Sequence, residues 1–300
     1  MPLWRAAVAL LLCFPGVARA QHVLVPMDDD QGNHLKAYGL TYAALLGGGR
    51  AEWLLNYRGG SFLLPDSPEI RRRAGLDGIS IEPIDDAALA QIRSTMANGN
   101  MDAVPLEKAP RIAIYTAPYS PPWDDAVTMA LKYAGIPFTP IWDDQVEHGD
   151  LSKYDWVHLF HEDFTGQLNK FYISYRGAPW FVEQQDRQLA TARALGFPNI
   201  PALKKDVADK IRQYVQNGGF LFAMCGATET LELAIAGQKV DIASVFADGT
   251  PMDPNADAKM DWTRTFAFQG VHLEMNPGVN AMSDIDGHQV NVASRRQSLN

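Results

Sequence analysis

Four short apolar runs set the frame for this chain: residues 22–27 (HVLVPM), 112–116 (IAIYT), 154–160 (YDWVHLF) and 220–224 (FLFAM). Each leads through a polar, acidic or small-residue loop towards a segment with apolar residues at helical spacing. Strands of that kind, alternating with helices, imply right-handed crossovers and a mostly parallel sheet covered on both faces. The expected fold class is therefore a doubly wound α/β sheet. Within it, helices are expected over 34–46, over two pieces between Pro65 and Met101 that flank an extended run at 79–84, over 126–134 and over 203–215. The restart at Lys108-Ala109-Pro110 divides the chain into an N-terminal α/β lobe, 21–107, and a larger domain, 108–300. The second lobe begins as the first does: apolar strand, paired aspartates, helix, strand with Trp. That echo suggests a duplicated βαβ unit. A last strand is expected over 265–273.

The first 20 residues stand apart. Arg5 precedes an apolar run from Ala6 to Phe14, Pro15 breaks it, and Ala18-Arg19-Ala20 offers a small-residue cleavage site before Gln21. This is the pattern of a secretory signal peptide cut after Ala20, which implies a periplasmic or secreted protein. No later stretch has 18 consecutive apolar residues, so no membrane span is expected after cleavage. The chain carries 26 Lys and Arg against 35 Asp and Glu, a formal charge of -9. Removing Arg5 and Arg19 takes it to -11 (24 minus 35). Such acidity argues against nucleic acid as a partner, since phosphate binding needs clustered cations. Cys13 leaves with the signal, and Cys225 remains as a lone thiol that no internal disulfide can consume.

Cys225 ends the apolar run FLFAM and opens a helix expected from about Thr228. Ligands bind at the C-terminal ends of parallel strands, so its side chain should reach the crevice there. A tight strand-to-helix turn demands small neighbours, and Ala223, Gly226 and Ala227 supply them. The helix dipole and its free amides favour a thiolate at such a turn, with the Gly226 N–H placed to hold an oxyanion.

The stretch AMCGA after GGFLF resembles the nucleophile elbow of the class I glutamine amidotransferase-like superfamily, with its flavodoxin-like sheet. Together with HLKAYGLTYAAL, EWLLNYRGGSFLLP and YDWVHLFHEDFTGQ, it resembles exported bacterial proteins labelled asparagine synthetase B-like. That resemblance covers most of residues 22–285 and implies a thiol-dependent amide hydrolase or amidotransferase. It also implies a histidine base and an acid in an H-x-E motif downstream of the cysteine, for which His272 and Glu274 are the match. Members of the group continue further and carry a Gly-His-Asp-like segment near the C-terminus, so the chain is expected to be truncated relative to them.

His161 is the other candidate base, since it follows a strand and should lie on the same edge as Cys225. Glu162, Asp163, Thr228 and Glu229 flank the two turns and are candidates for binding a small polar or amide-containing ligand. The rival to the enzyme reading is a non-catalytic periplasmic binding module on the same fold, without a working base. Asp253, Asn255 and Asp257 open like a calcium loop, but Ala258 and Arg264 stand where glycine and glutamate are needed. No phosphate loop, dinucleotide fingerprint or zinc spacing is present, so no cofactor and no metal are expected. The aromatic stretch 171–181 suits a lid or a stacking surface.

Overall fold

The computed structural model describes residues 21–121 and 125–286. The signal peptide read from the first 20 residues lies outside the described residues, as do 122–124 and 287–300. The described residues divide into two compact units, 21–109 with 132–136, and 110–121, 125–131 and 137–286.

The first unit holds a five-stranded sheet in the order β4-β1-β3-β2-β5, built from β1 (His22–Val25), β2 (Ala51–Leu55), β3 (Phe62–Pro65), β4 (Glu82–Ile84) and β5 (Asp102–Leu106). Every pairing in it is antiparallel. The expectation of a parallel sheet and a duplicated βαβ unit is therefore corrected here. The reason lies in the connections: β2 and β3 are joined by a six-residue turn, Asn56–Ser61, too short for the crossover that parallel neighbours require. Asn56 and Arg58 take up positive φ in that turn (59° and 45°), and so does Gly59, where a β-carbon would stand 2.3 Å from Met27 O. Helices α1 (His34–Leu46), α2 (Pro68–Asp77) and α3 (Asp86–Ala97) complete the unit, each opened by a side-chain cap, from Asn33, Ser67 and Asp85. Asp28 and Asp30 are not the helix cap: they clamp the Arg58 guanidinium at 2.7 Å each, with Glu82 on its third edge at 2.6 Å.

The second unit carries the parallel sheet. Its strands are β6 (Ile112–Tyr115), β7 (Thr139–Ile141), β8 (Trp156–Leu159) and β9 (Phe220–Ala223), in the order β7-β6-β8-β9, all parallel. The helices in chain order are α4 (Ala126–Ala134), α5 (Asp143–Glu147), the short α6 (Tyr172–Tyr175), α7 (Pro179–Ala194), α8 (Ile200–Gln216), α9 (Gly226–Ala236) and the single turns α10 (Val245–Asp248) and α11 (Ala256–Lys259). One sheet face is sealed by Leu203, Val207 and Ile211 of α8 and by Ala227, Leu231, Ala234 and Ile235 of α9, packed on Ala113, Val157 and Leu159. Coverage fails on the other face at β9, an edge strand whose Phe220 and Phe222 are 59% and 43% exposed. The 265–273 strand is also corrected: that stretch is irregular, and only Leu273 forms an isolated antiparallel bridge, to Ser283. Its amides are drawn off by side chains instead, Glu232 accepting from Phe266 and Ala267 and Asp257 from Leu273.

Candidate functional site

Four parallel strands bring four chain turns to one edge. Past β6 stands Tyr115 at the strand end, past β7 come Trp142 and Asp143, past β8 the run Phe160-His161-Glu162-Asp163, and past β9 Cys225. This is the edge at which a parallel sheet offers a crevice.

Cys225 lies between β9 and α9 with φ +50° and ψ -139°, a conformation outside both strand and helix. For a residue with a β-carbon this region costs on the order of 1–3 kcal/mol and persists only where the surroundings enforce it. They do so from both sides. Met224 N–H donates to Leu159 O at 3.0 Å, extending the β8–β9 ladder by one residue. Thr228 then closes the first turn of α9, its N–H and hydroxyl both donating to Cys225 O, at 3.2 and 2.7 Å. The thiol is exposed. A β-carbon at Gly226 would meet nothing closer than His161 O at 3.8 Å.

The loop after β8 runs beside this turn. Ala227 N–H donates to Phe160 O (3.4 Å), and the Thr230 hydroxyl donates to Glu162 O (2.7 Å). Glu162 turns its carboxylate back to accept from Phe160 N–H at 3.0 Å. Burial pushes that carboxyl above the usual range, against the pull of the backbone donor, His161 and Lys204. Asp163 is spent on the loop itself, accepting from Thr165 N–H and hydroxyl and from Gln167 and Asn169 N–H at 2.6–3.0 Å. Those bonds hold three successive residues, Leu168, Asn169 and Lys170, at φ of 51–55°.

Beneath Glu162 lies a buried polar cluster that sequence reasoning missed. Lys204, 2% exposed, donates to Asp143 Oδ1 (2.9 Å) and to the Tyr115 hydroxyl (2.8 Å), with its ammonium 3.8 Å from the Trp142 ring centre. Tyr115 donates to the same Asp143 oxygen, and burial beside that carboxylate drives the phenol well up. The signal was present as a lysine inside the apolar stripe Leu203, Val207, Ala208, Ile211 of α8. A cavity of about 50 Å³ opens among His161, Glu162, Trp142, Gln184, Gln188 and Lys204.

The other sequence-predicted residues serve other ends. His272, its side chain 74% exposed, pairs with Asp257 (3.3 Å), donates its N–H to the Asp284 carboxylate and accepts from Asp284 N–H at its carbonyl. Glu274 caps Asn276 N–H and offers its carbonyl to buried Lys170. Thr228 is the cap of the elbow, and Glu229 is buried against the Ser283 hydroxyl. His158 packs in the interior between Phe222 O and Asp125, and burial lowers its pKa. Of the calcium-like trio, Asp253 binds Lys259 and Asp257 binds His272. Among the described residues no three His, Cys, Asp or Glu side chains are grouped to hold a metal ion, and no helix is long and apolar enough to cross a membrane. The aromatic stretch forms the short α6 and opens α7, with Tyr172 stacked on Phe246 at 4.7 Å and Phe181 buried.

No known protein-family model, curated protein or solved structure matches this chain.

Proposed function

We propose that this is an exported, class I glutamine amidotransferase-like protein, of the asparagine synthetase B-like kind, acting as a thiol-dependent amide hydrolase or amidotransferase at Cys225. The observation that carries the reading is the backbone of Cys225: a strained residue at positive φ, exposed, at the C-terminal edge of a parallel sheet and the start of a helix. Strain of that kind concentrates where a reactive group must be presented. The β7-β6-β8-β9 order, second-first-third-fourth within the unit, supports a flavodoxin-like arrangement.

In the proposed reaction the Cys225 thiolate attacks the amide carbon, and the Gly226 N–H with a second amide from the 160–163 loop holds the oxyanion. Loss of ammonia leaves a thioester, which water or an acceptor then resolves. His161 is the histidine on the neighbouring turn. His272 and Glu274 are bonded to a separate set of partners, Asp257, Asp284 and Lys170. A second reading, a binding module without turnover, draws support from Asp163, Thr228 and Glu229 being occupied as loop, cap and anchor.

The two readings part in an ammonia-release assay on L-glutamine and L-asparagine. The amidase reading expects release by the wild type and at least a hundredfold loss in a folded Cys225→Ala variant, of the order seen when a nucleophile is removed. Equal rates for the two proteins, or none for either, favour the binding module.

A further inference from the structure

Among the described residues four strands end a sheet; three of them contain a proline, and the fourth leads to Cys225. We propose that this fourth strand, β9, takes an extended peptide as an added strand, and that the amide attacked at Cys225 is a glutamine side chain carried on that peptide. The inference rests on the thiol reading of the site and names its substrate class.

A strand at the edge of a sheet offers a row of unpaired N–H and C=O groups. Proline, which has no N–H to give, is one of the devices that keeps other chains off such an edge. The first sheet ends on β4, with Pro83, and on β5, with Pro105; the second ends on β7, with Pro140. β9 is left without that guard, since no residue from Asn217 to Cys225 is a proline or carries a charge.

The ladder fixes which backbone groups face the open side. Phe220 N–H donates to Asp155 O at 3.1 Å and Met224 N–H to Leu159 O at 3.0 Å, so Phe220, Phe222 and Met224 turn their backbone towards β8. Strand periodicity turns Leu221 and Ala223 the other way, and no described residue from outside the sheet bonds to their N–H or C=O groups. Those two residues can pair with an added strand. The side chains complete the surface: Phe220 and Phe222 are 59% and 43% exposed on one face, Phe220 edge-on to Trp156 (6.3 Å) and Phe222 stacked on His158 (5.8 Å). Main-chain bonds of this kind supply affinity, and the two rings meet the alternate side chains of the peptide and select apolar ones.

The strand also delivers its occupant to the chemistry, because Met224 is the last residue held by the ladder and the exposed Cys225 thiol comes next. At that end the C–N bond of the glutamine side chain breaks as the C–S bond of the thioester forms, and water then exchanges C–S for C–O. The amide and one water become a carboxylate and an ammonium ion, both protons of the water ending on nitrogen, and the thiolate is restored.

The test uses a fluorescein-labelled heptapeptide of alternating valine and threonine with glutamine at its centre, and two further versions N-methylated on one or the other alternate set of backbone amides. Only one set faces the protein in an added strand. Fluorescence anisotropy with the whole Cys225→Ala chain, which cannot turn the peptide over, is expected to show binding that methylation of one set weakens about tenfold, the size of one or two lost backbone hydrogen bonds, while the other set leaves it unchanged. Leu221→Pro, closing β9 as Pro140 closes β7, should weaken the parent peptide by a similar factor. Equal losses from both methylated sets, or no binding of the parent peptide, overturn the proposal. So does a dimer in sedimentation velocity that Leu221→Pro dissolves, since the edge then belongs to a second copy. If circular dichroism shows Leu221→Pro unfolded, the methylated pair decides the matter without it. Ammonia release by the wild type is expected with kcat/KM about tenfold or more higher on the peptide than on free L-glutamine. Release from free L-glutamine with no peptide bound overturns the added strand and leaves the thiol reading standing. Binding that depends on the methylated set, with no release from either compound, overturns the thiol reading while the peptide site stands.

Discussion

At Cys225 the backbone and the side chain pull in opposite directions. A β-carbon at φ +50° and ψ -139° is strained, whereas glycine occupies that region freely. Elsewhere Gly-to-Ala exchange stabilises by reducing the freedom of the unfolded chain. Here the order should invert: Cys225→Gly is expected to be more stable than Cys225→Ala by about 1 kcal/mol in urea unfolding. An Ala variant at least as stable as the Gly variant would show that the turn is relaxed. Lys204 presents the converse case, a charge made tolerable by its surroundings. Lys204→Met strands the Asp143 carboxylate at 0% exposure and should destabilise by about 3–5 kcal/mol, with most of the loss regained in the Asp143→Asn, Lys204→Met pair. Thermal unfolding of the two variants side by side measures this, and equal losses in both would count against it. Neither feature is hidden in the sequence. The elbow was legible because three small residues surround Cys225, and its strand partner was not, because which loop lies beside it depends on sheet order rather than on any local pattern.

α1 spans the expected 34–46 behind its Asn33 cap, whereas the cap of α8 lies ahead of the apolar stripe that predicts that helix. The apolar stripe predicts α8 from Leu203, and the helix begins three residues earlier, at Ile200, behind the Asn199 cap that accepts from Ala202 N–H at 2.8 Å. α7 was overlooked: it has no side-chain cap, and only Phe181, Gln188 and Ala192 along its 16 residues are buried, so it shows a weak apolar face. The alternating apolar residues of 265–273 predict a strand, yet the Phe266 and Ala267 amides are bonded by Glu232 on α9 and those of His272 and Leu273 by Asp284 and Asp257. That substitution of a carboxylate for a neighbouring strand has a pH signature. Burial raises the Glu232 carboxyl above its ordinary value of 4.5 despite the amides that bond it. A raised folded-state value means the folded chain holds its proton more tightly. The group's contribution to stability is complete below 4.5 and is lost as pH climbs through the higher folded value. Glu232→Gln should therefore lose less stability than the wild type between pH 4.5 and 7. Denaturant midpoints at the two pH values decide it, and parallel shifts in both proteins would sink the idea.

At the scale of the molecule, two sheets of opposite logic share one chain. The alternation of strand and helix runs through both halves and implies a single parallel scheme; in the first sheet only the six-residue β2–β3 turn announces antiparallel pairing, since α1, α2 and α3 join its other strands as helices join those of the second. The first unit is also not closed by its own stretch of sequence. Residues 132–136, the end of α4 and the turn after it, belong to it. Gly39 of α1 lies so near this segment that a β-carbon would stand 1.9 Å from Ala134 O. Asn33 donates to the Tyr133 hydroxyl at 2.7 Å, and Lys36 lies over the Tyr133 ring. A fragment of residues 21–109 is therefore expected to unfold at lower urea than one of 21–136, and Gly39→Ala should erase the difference; equal midpoints for the two fragments would refute this. On the ribosome the same feature becomes a schedule. The chain leaves its first unit at Ala109 with all five strands written, writes the first strand of the next, and only then returns residues 132–136, so the N-terminal unit must wait for the end of a helix that opens in its neighbour.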